Sequence, residues 1–227
     1  MFAPIFALIL SVIILFITLM MALRNYQIIN KDKYSLARNF PFELSPIRDG
    51  KKNILFVVMI IASIILLNFA NIFVCVSSYN IETRYQGTML LTVASSFIAS
   101  ISFIYLLFSD TKNFKMHLLA LSFLIAFALA NVASIAYIGY ASLLDPSKSQ
   151  VDLKKLIVAI IATIEGIGML LLFINPKIKS WFKLEEIKND DGTITHVRPK
   201  IFILALIEWS YLFALLLSGV LFLLLMI

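Results

Sequence analysis

Cysteine is almost absent from this chain of 227 residues, which contains only Cys75. A single thiol excludes an intrachain disulfide and a metal cluster held by thiolates. Histidine is also scarce, with two residues, and the chain has no His-x-x-x-His pair, no Gly-x-Ser-x-Gly turn and no Walker loop. Those motifs supply the metal ligands, nucleophiles and phosphate contacts of common enzyme classes. We therefore expect no metal and no cofactor, and an enzyme is the less favoured class of protein.

Charged residues are also scarce. Asp, Glu, Lys and Arg make up 14% of the chain, whereas hydrophobic residues make up 61%. A soluble globule of this length needs more polar surface. The chain instead contains six apolar runs that are each long enough to cross a bilayer as a helix. We predict an all-α polytopic membrane protein, a single membrane domain over residues 1–227. Its transmembrane helices are expected at about 1–23, 54–79, 86–109, 117–144, 156–175 and 203–227.

The basic residues are distributed unevenly between the connecting loops. Of the 19 Lys and Arg residues, fifteen lie in or next to loops 24–52, 110–115 and 176–200, and four lie in the other two loops. Cytoplasmic loops retain positive charge during insertion. We therefore expect both termini outside a plasma membrane, with the two longer loops, 24–52 and 176–200, in the cytoplasm. The net charge of +6 reflects this bias, and no basic stripe with interleaved aromatics indicates nucleic acid.

The two long loops carry aromatic residues that favour contact with lipid headgroups or with a partner. Phe40 and Phe42 flank a proline in the first loop. In the second loop, Ile178, Trp181 and Phe182 recur at helical spacing among lysines, which predicts a short amphipathic helix on the membrane surface. Residues 187–197, around an Asp-Gly pair, have the composition of a β-hairpin.

Glu165 is the most unusual residue, because it is the one charged residue near the middle of the run 156–175. An acidic side chain at a helix centre costs roughly 2.5–3.5 kcal/mol. The residue is therefore expected to be paired, protonated or facing a cavity. Gly166 and Gly168 would let another helix or a ligand approach closely. A proton or cation site is one interpretation, and a structural hydrogen-bonded residue is the alternative.

Three asparagines lie in the predicted helices. Asn68 and Asn71 share a face of the second helix, and Asn131 lies near the middle of the fourth. With Glu165 they could line a polar cavity that binds a ligand. The alternative is ordinary hydrogen bonding between helices, which contributes about 0.6 kcal/mol per bond in measured membrane proteins.

Glu208 lies beside Trp209 near the start of the last run. That run is longer than a bilayer requires, so we place Glu208, Trp209 and, in the preceding loop, Trp181 at the membrane interface. At this depth a lysine or arginine from a loop would be within reach of the Glu208 carboxyl group.

Small residues recur every four positions in two neighbouring helices, and small residues let membrane helices approach closely. We predict that these two rows form a close antiparallel pair; their simple frequency in membrane helices is the alternative. The rows are Thr88, Thr92, Ser96 and Ser100 in the third helix and Ser122, Ala126, Ala130 and Ser134 in the fourth.

Two functions fit these features. The first is a small transport or permeation component that uses Glu165. The second is a non-catalytic membrane subunit or scaffold, which docks other membrane or cytoplasmic subunits through its cytoplasmic loops and pairs Glu165 with a neighbour. The lipid bilayer is a partner in both.

Overall fold

The computed structural model describes residues 2–31, 33–44, 54–109, 114–144, 152–174, 184–189 and 193–226. These residues form six α-helices: α1 (Phe2–Asn30), α2 (Ile54–Ser78), α3 (Gln86–Phe108), α4 (Phe114–Leu143), α5 (Leu153–Ile174) and α6 (Ile203–Met226). Short 3-10 turns occupy Pro41–Leu44 and Thr83–Tyr85. Strands β1 (Glu185–Lys188) and β2 (Ile194–Val197) form an antiparallel hairpin in which Glu185 pairs with Val197 and Lys188 with Ile194.

All six helices are long and apolar enough to span a membrane, which confirms the prediction of a mostly helical, multi-pass membrane protein. The largest boundary correction is at α1, which continues to Asn30, so that the first loop does not begin at residue 24; α4 and α5 also begin three residues earlier than predicted. The residues from Arg24 to Asn30 include polar side chains, but none of them is Gly or Pro, so the helix can continue through them. The helix ends before Lys31, whose φ of 53° lies in the left-handed region that commonly follows a helix.

α6 is the central helix of the bundle. It contacts each of the other five helices, and those five follow one another around it in chain order, since each consecutive pair from α1 to α5 is in contact. Nearly all of α6 is buried, and its exposed residues are Phe213, Leu217 and Leu224. At 100° per residue these three fall within about 40° of each other, so α6 is covered except along one narrow strip.

Residues 33–44, which we call the cap, fold over the end of the bundle where α6 begins. Phe40 and Leu44 are buried, and the Phe202 backbone N–H donates to the Ala37 carbonyl at 2.7 Å. We call this end of the bundle the cap end. The aromatic patch of the first loop is therefore packed against the helices in this structure. The predicted surface helix with Trp181 lies outside the described residues.

α4 and α5 approach each other closely at Gly139. A Cβ atom at this position would lie 2.7 Å from the Cβ of Ala159 and 3.2 Å from the Lys155 carbonyl oxygen. Both neighbours are fixed to the α5 backbone, so neither can move aside as a flexible side chain could. The absence of a side chain at Gly139 is therefore what allows the two helices to touch.

We expect Gly139→Ala to lower the free energy of unfolding by about 1–3 kcal/mol, because the added methyl group overpacks the contact between α4 and α5. Gly168→Ala is the matched control, since no atom lies within 4 Å of a Cβ added there. Unfolding of the two variants in detergent measures the difference. Equal stability of both variants would contradict the close contact.

Candidate functional site

Asn68 and Asn71 of α2 bind serine side chains of α3. Asn68 Nδ2 donates to Ser100 Oγ at 2.8 Å, and Asn71 Nδ2 donates to Ser96 Oγ at 3.0 Å. Ser96 Oγ in turn donates to Asn68 Oδ1 at 3.3 Å. All four side chains are buried. These amides therefore hold two helices together.

Asn131 of α4 faces α3 and has one unused acceptor. Its Nδ2 donates to the Thr92 carbonyl oxygen at 2.7 Å, while its buried Oδ1 has no hydrogen-bond partner among the described residues. Thr92 Oγ1 also lies 2.7 Å from Ser134 Oγ. Of the predicted small-residue rows, Thr92 and Ser134 thus meet directly.

The other members of the two rows point elsewhere, because positions four apart on an α-helix rotate by about 40° per step. Thr92 faces α4, but Ser96 and Ser100 have turned toward α2. On α4 the same drift leaves Ser122 and Ala126 exposed and Ala130 half-buried, and on α3 Thr88 is half-buried. The rows therefore join three helices where we expected two.

Glu165 on α5 faces the central helix. Its Oε1 accepts a hydrogen bond from Ser218 Oγ of α6 at 3.3 Å, and its buried Oε2 has no partner in the described part of the chain. Gly166 beside it packs on α4, since a Cβ there would lie 3.4 Å from Val132 Cγ1. The carboxyl group is half-buried against α6, with one acceptor still open.

Asn71 and Glu165 approach the same turn of α6 from different helices. Asn71 Oδ1 lies 3.6 Å from where a Cβ of Gly219 would stand, and Ser218 is the residue that binds Glu165. By contrast, the groove between α4 and α5, of about 480 Å³, is lined by apolar and small residues and does not include Glu165. Asn71 and Glu165 therefore both face α6, whereas Asn68 and Asn131 bind α3.

Glu208 of α6 forms a buried pair with His117 of α4. His117 Nε2 lies 2.7 Å from Glu208 Oε1, and both side chains are 0% exposed. The sequence led us to expect a loop lysine or arginine beside Glu208. Arg198, a cation of that loop, instead pairs with Glu43 of the cap. Glu208 Oε2 is buried without a partner in the described ranges.

The surroundings of His117 indicate where its protons lie. Nδ1 is 3.3 Å from the Ser109 carbonyl oxygen and 3.1 Å from Ser109 Oγ. A carbonyl can only accept a hydrogen bond, so this contact favours a proton on Nδ1. Nε2 and Glu208 Oε1 then share a second proton, and the pair carries no net charge. A neutral pair avoids the large cost of an isolated buried charge.

We did not predict from the sequence that His117 pairs with Glu208. A signal was present, since fourteen residues separate His117 from Asn131 and place both within about 40° on one face of α4. Both side chains are buried. Polar residues that recur on one face of a membrane helix indicate its inward side.

Aromatic residues of the cap cover the His117 ring of the buried pair. The rings of Phe40 and Phe42 stand edge-on to the His117 ring at centroid distances of 5.7 and 6.2 Å. Arg198, in the segment before α6, contacts the cap twice. It pairs with Glu43, and its guanidinium group lies 5.1 Å from the Phe40 ring centre.

Trp209, which we placed at the membrane interface from the sequence, is covered by the same cap. It is 1% exposed, and its Nε1–H lies 3.1 Å from Tyr34 Oη and 3.0 Å from the Asn39 carbonyl. Tyr34 Oη donates to the Phe40 carbonyl at 2.7 Å. Burial raises the pKa of the Tyr34 phenol, the nearby Glu43 carboxylate adds to this, and the hydrogen bond from Trp209 opposes it. The phenol therefore remains a donor to the cap.

The fold and its buried polar groups define a multi-pass α-helical membrane protein with carboxyl groups inside the bundle. Within the described ranges, no three His, Cys, Asp or Glu side chains come together as a candidate metal site. Comparison of the chain with protein-family models, curated proteins and solved structures finds no match. The functional argument therefore depends on the residues of this chain alone.

We expect His117→Ala to lower the free energy of unfolding by about 1–3 kcal/mol, because it leaves the neutral Glu208 carboxyl group buried without its hydrogen-bond partner. His196→Ala is the control, since His196 lies exposed on β2. Glu208→Gln should cost less, because an amide still bonds to the imidazole. Unfolding in detergent measures all three. A His117 variant as stable as the His196 variant would contradict a structural pair.

Proposed function

We propose that the protein is a small permeation component of a plasma membrane that handles protons or monovalent cations through Glu165. In this proposal both termini lie outside and the cap end faces the cytoplasm. The distribution of Lys and Arg supports that orientation, since fifteen of the 19 lie in or beside the loops at the cap end. The cap and the hairpin would then be cytoplasmic.

The observation that carries the proposal is the environment of Glu165. The carboxyl group is turned toward the central helix, it has a single hydrogen bond from Ser218, and its second oxygen is buried with no partner among the described residues. A residue kept only for packing would be expected to use both oxygens or to be replaced by an apolar side chain. An open acceptor at mid-depth is suited to a proton or a dehydrated cation.

A scaffold function is the second candidate, and the β-hairpin favours it. All four residues of β1 are exposed, as are Ile194, Thr195 and His196 of β2. A two-stranded sheet leaves the outer edge of each strand open to a strand of another protein. In this alternative, a cytoplasmic or membrane subunit docks on the hairpin and the helices act as an anchor.

Flux through purified protein in liposomes tests the first candidate. We expect wild-type protein to dissipate an imposed pH or cation gradient faster than empty liposomes. Glu165→Gln should slow this flux by about 10² or more, the lower range of what a positioned proton-transfer group contributes. A pH-sensitive dye inside the vesicles reports protons, and potassium or sodium gradients report cations.

Glu186→Gln is the matched control, because Glu186 is exposed on β1 and its loss removes the same charge far from the bundle. This variant should retain wild-type flux. Wild-type vesicles that are no leakier than empty ones, or equal flux from both variants, would reject the permeation function and favour the scaffold.

A further inference from the structure

We infer that one face of α6 forms a proton path from the His117–Glu208 pair at the cap end to Glu165 at mid-depth. The inference rests on the proposed permeation function and narrows its substrate to the proton. It assigns a role to Glu208, His117 and Tyr211, which take no part in the proposed site at Glu165.

The three polar residues of α6 at the α4 and α5 contacts lie on a common face. Glu208, Tyr211 and Ser218 fall within about 80° of each other at 100° per residue. From Glu208 to Ser218 the helix rises about 15 Å, half the thickness of a bilayer core. This face therefore joins the cap end to the depth of Glu165.

Each end of this face has a carboxyl oxygen that is still open. Glu208 Oε2 and Glu165 Oε2 are both buried with no hydrogen-bond partner in the part of the chain that is described. Tyr211 lies between the two carboxyl groups, and its Oη donates to the Met169 carbonyl of α5 at 3.2 Å. Water bound to the open acceptors would bridge the remaining distance, since buried water binds where polar groups lack partners.

Proton transfer along this path begins at Glu208 and ends at Glu165. The O–H bond of the Glu208 carboxyl group breaks, its proton passes along bridging water past Tyr211, and an O–H bond forms on ionised Glu165. The His117–Glu208 pair then retains the Nδ1 proton and carries one negative charge. A proton from water at the cap end restores the pair.

The cap controls this last step. The titratable groups of the cap near the pair are Glu43 and Tyr34, and Arg198, from the segment before α6, pairs with Glu43. Phe40 and Phe42 cover the His117 ring, and Arg198 holds Phe40 and Glu43 in place. In this path, opening of the contact between Arg198 and the cap lets water reach the pair.

Hydrogen–deuterium exchange of the Glu165 carboxyl group tests the path. The exchange is followed after a jump into D₂O by infrared difference spectra, each protein being compared with its own Glu165→Gln form. Glu208→Gln and Tyr211→Phe should each slow exchange by about 10² or more. Tyr137→Phe should not, because Tyr137 is exposed on α4 away from this face. Arg198→Ala should accelerate exchange by releasing the cap.

Exchange that is equally fast in wild type, Glu208→Gln and Tyr211→Phe would overturn the path, as would a Glu165 that shows only an ionised band at every pH. Tyr211→Phe keeps the ring and removes one hydroxyl group, so it remains informative even where Glu208→Gln is unstable. Liposome flux without this exchange pattern would leave the permeation function standing and remove the path. The exchange pattern without flux would retain the path and remove the permeation function.

Discussion

The contact between Glu208 and His117 is the constraint on which the cap end depends. Neither side chain is exposed, and burial of either one without its hydrogen-bond partner would cost about 1–3 kcal/mol. The pair joins α6 to α4, and the Ser109 contact adds the end of α3. Phe40 and Phe42 of the cap cover the His117 ring. This one contact therefore fixes the rotation of the central helix.

Hydrogen bonds at mid-depth add to this arrangement in smaller amounts. Asn68, Asn71 and Asn131 each join neighbouring helices, and such bonds contribute about 0.6 kcal/mol each in membranes. Glu165 differs from these amides because one of its oxygens remains open beside α6. The amides join neighbouring helices. In our proposal, the carboxyl groups of Glu208 on α6 and Glu165 on α5 transfer the proton.

The fold class followed from the sequence because the length and hydropathy of a run are local properties. The position of Glu165 near the middle of α5 followed for the same reason. The partner of Glu208 could not be predicted in this way, since it depends on how α4 and α6 are rotated against each other. Trp209 illustrates the same limit, because an interfacial tryptophan and one covered by a folded loop look alike in sequence. The four-residue spacing of the small-residue rows did not by itself predict their partners, because positions four apart on an α-helix rotate by about 40° per step.

The ring nitrogens of His117 test the central claim most directly. The chain has two histidines, so ¹⁵N-histidine labelling with the His196→Ala variant assigns the signals in membranes. The account predicts a protonated Nδ1 bound to the Ser109 carbonyl and an Nε2 that shares a proton with Glu208, as a neutral pair. An unprotonated Nδ1 with a fully protonated Nε2 beside an ionised Glu208 would contradict it.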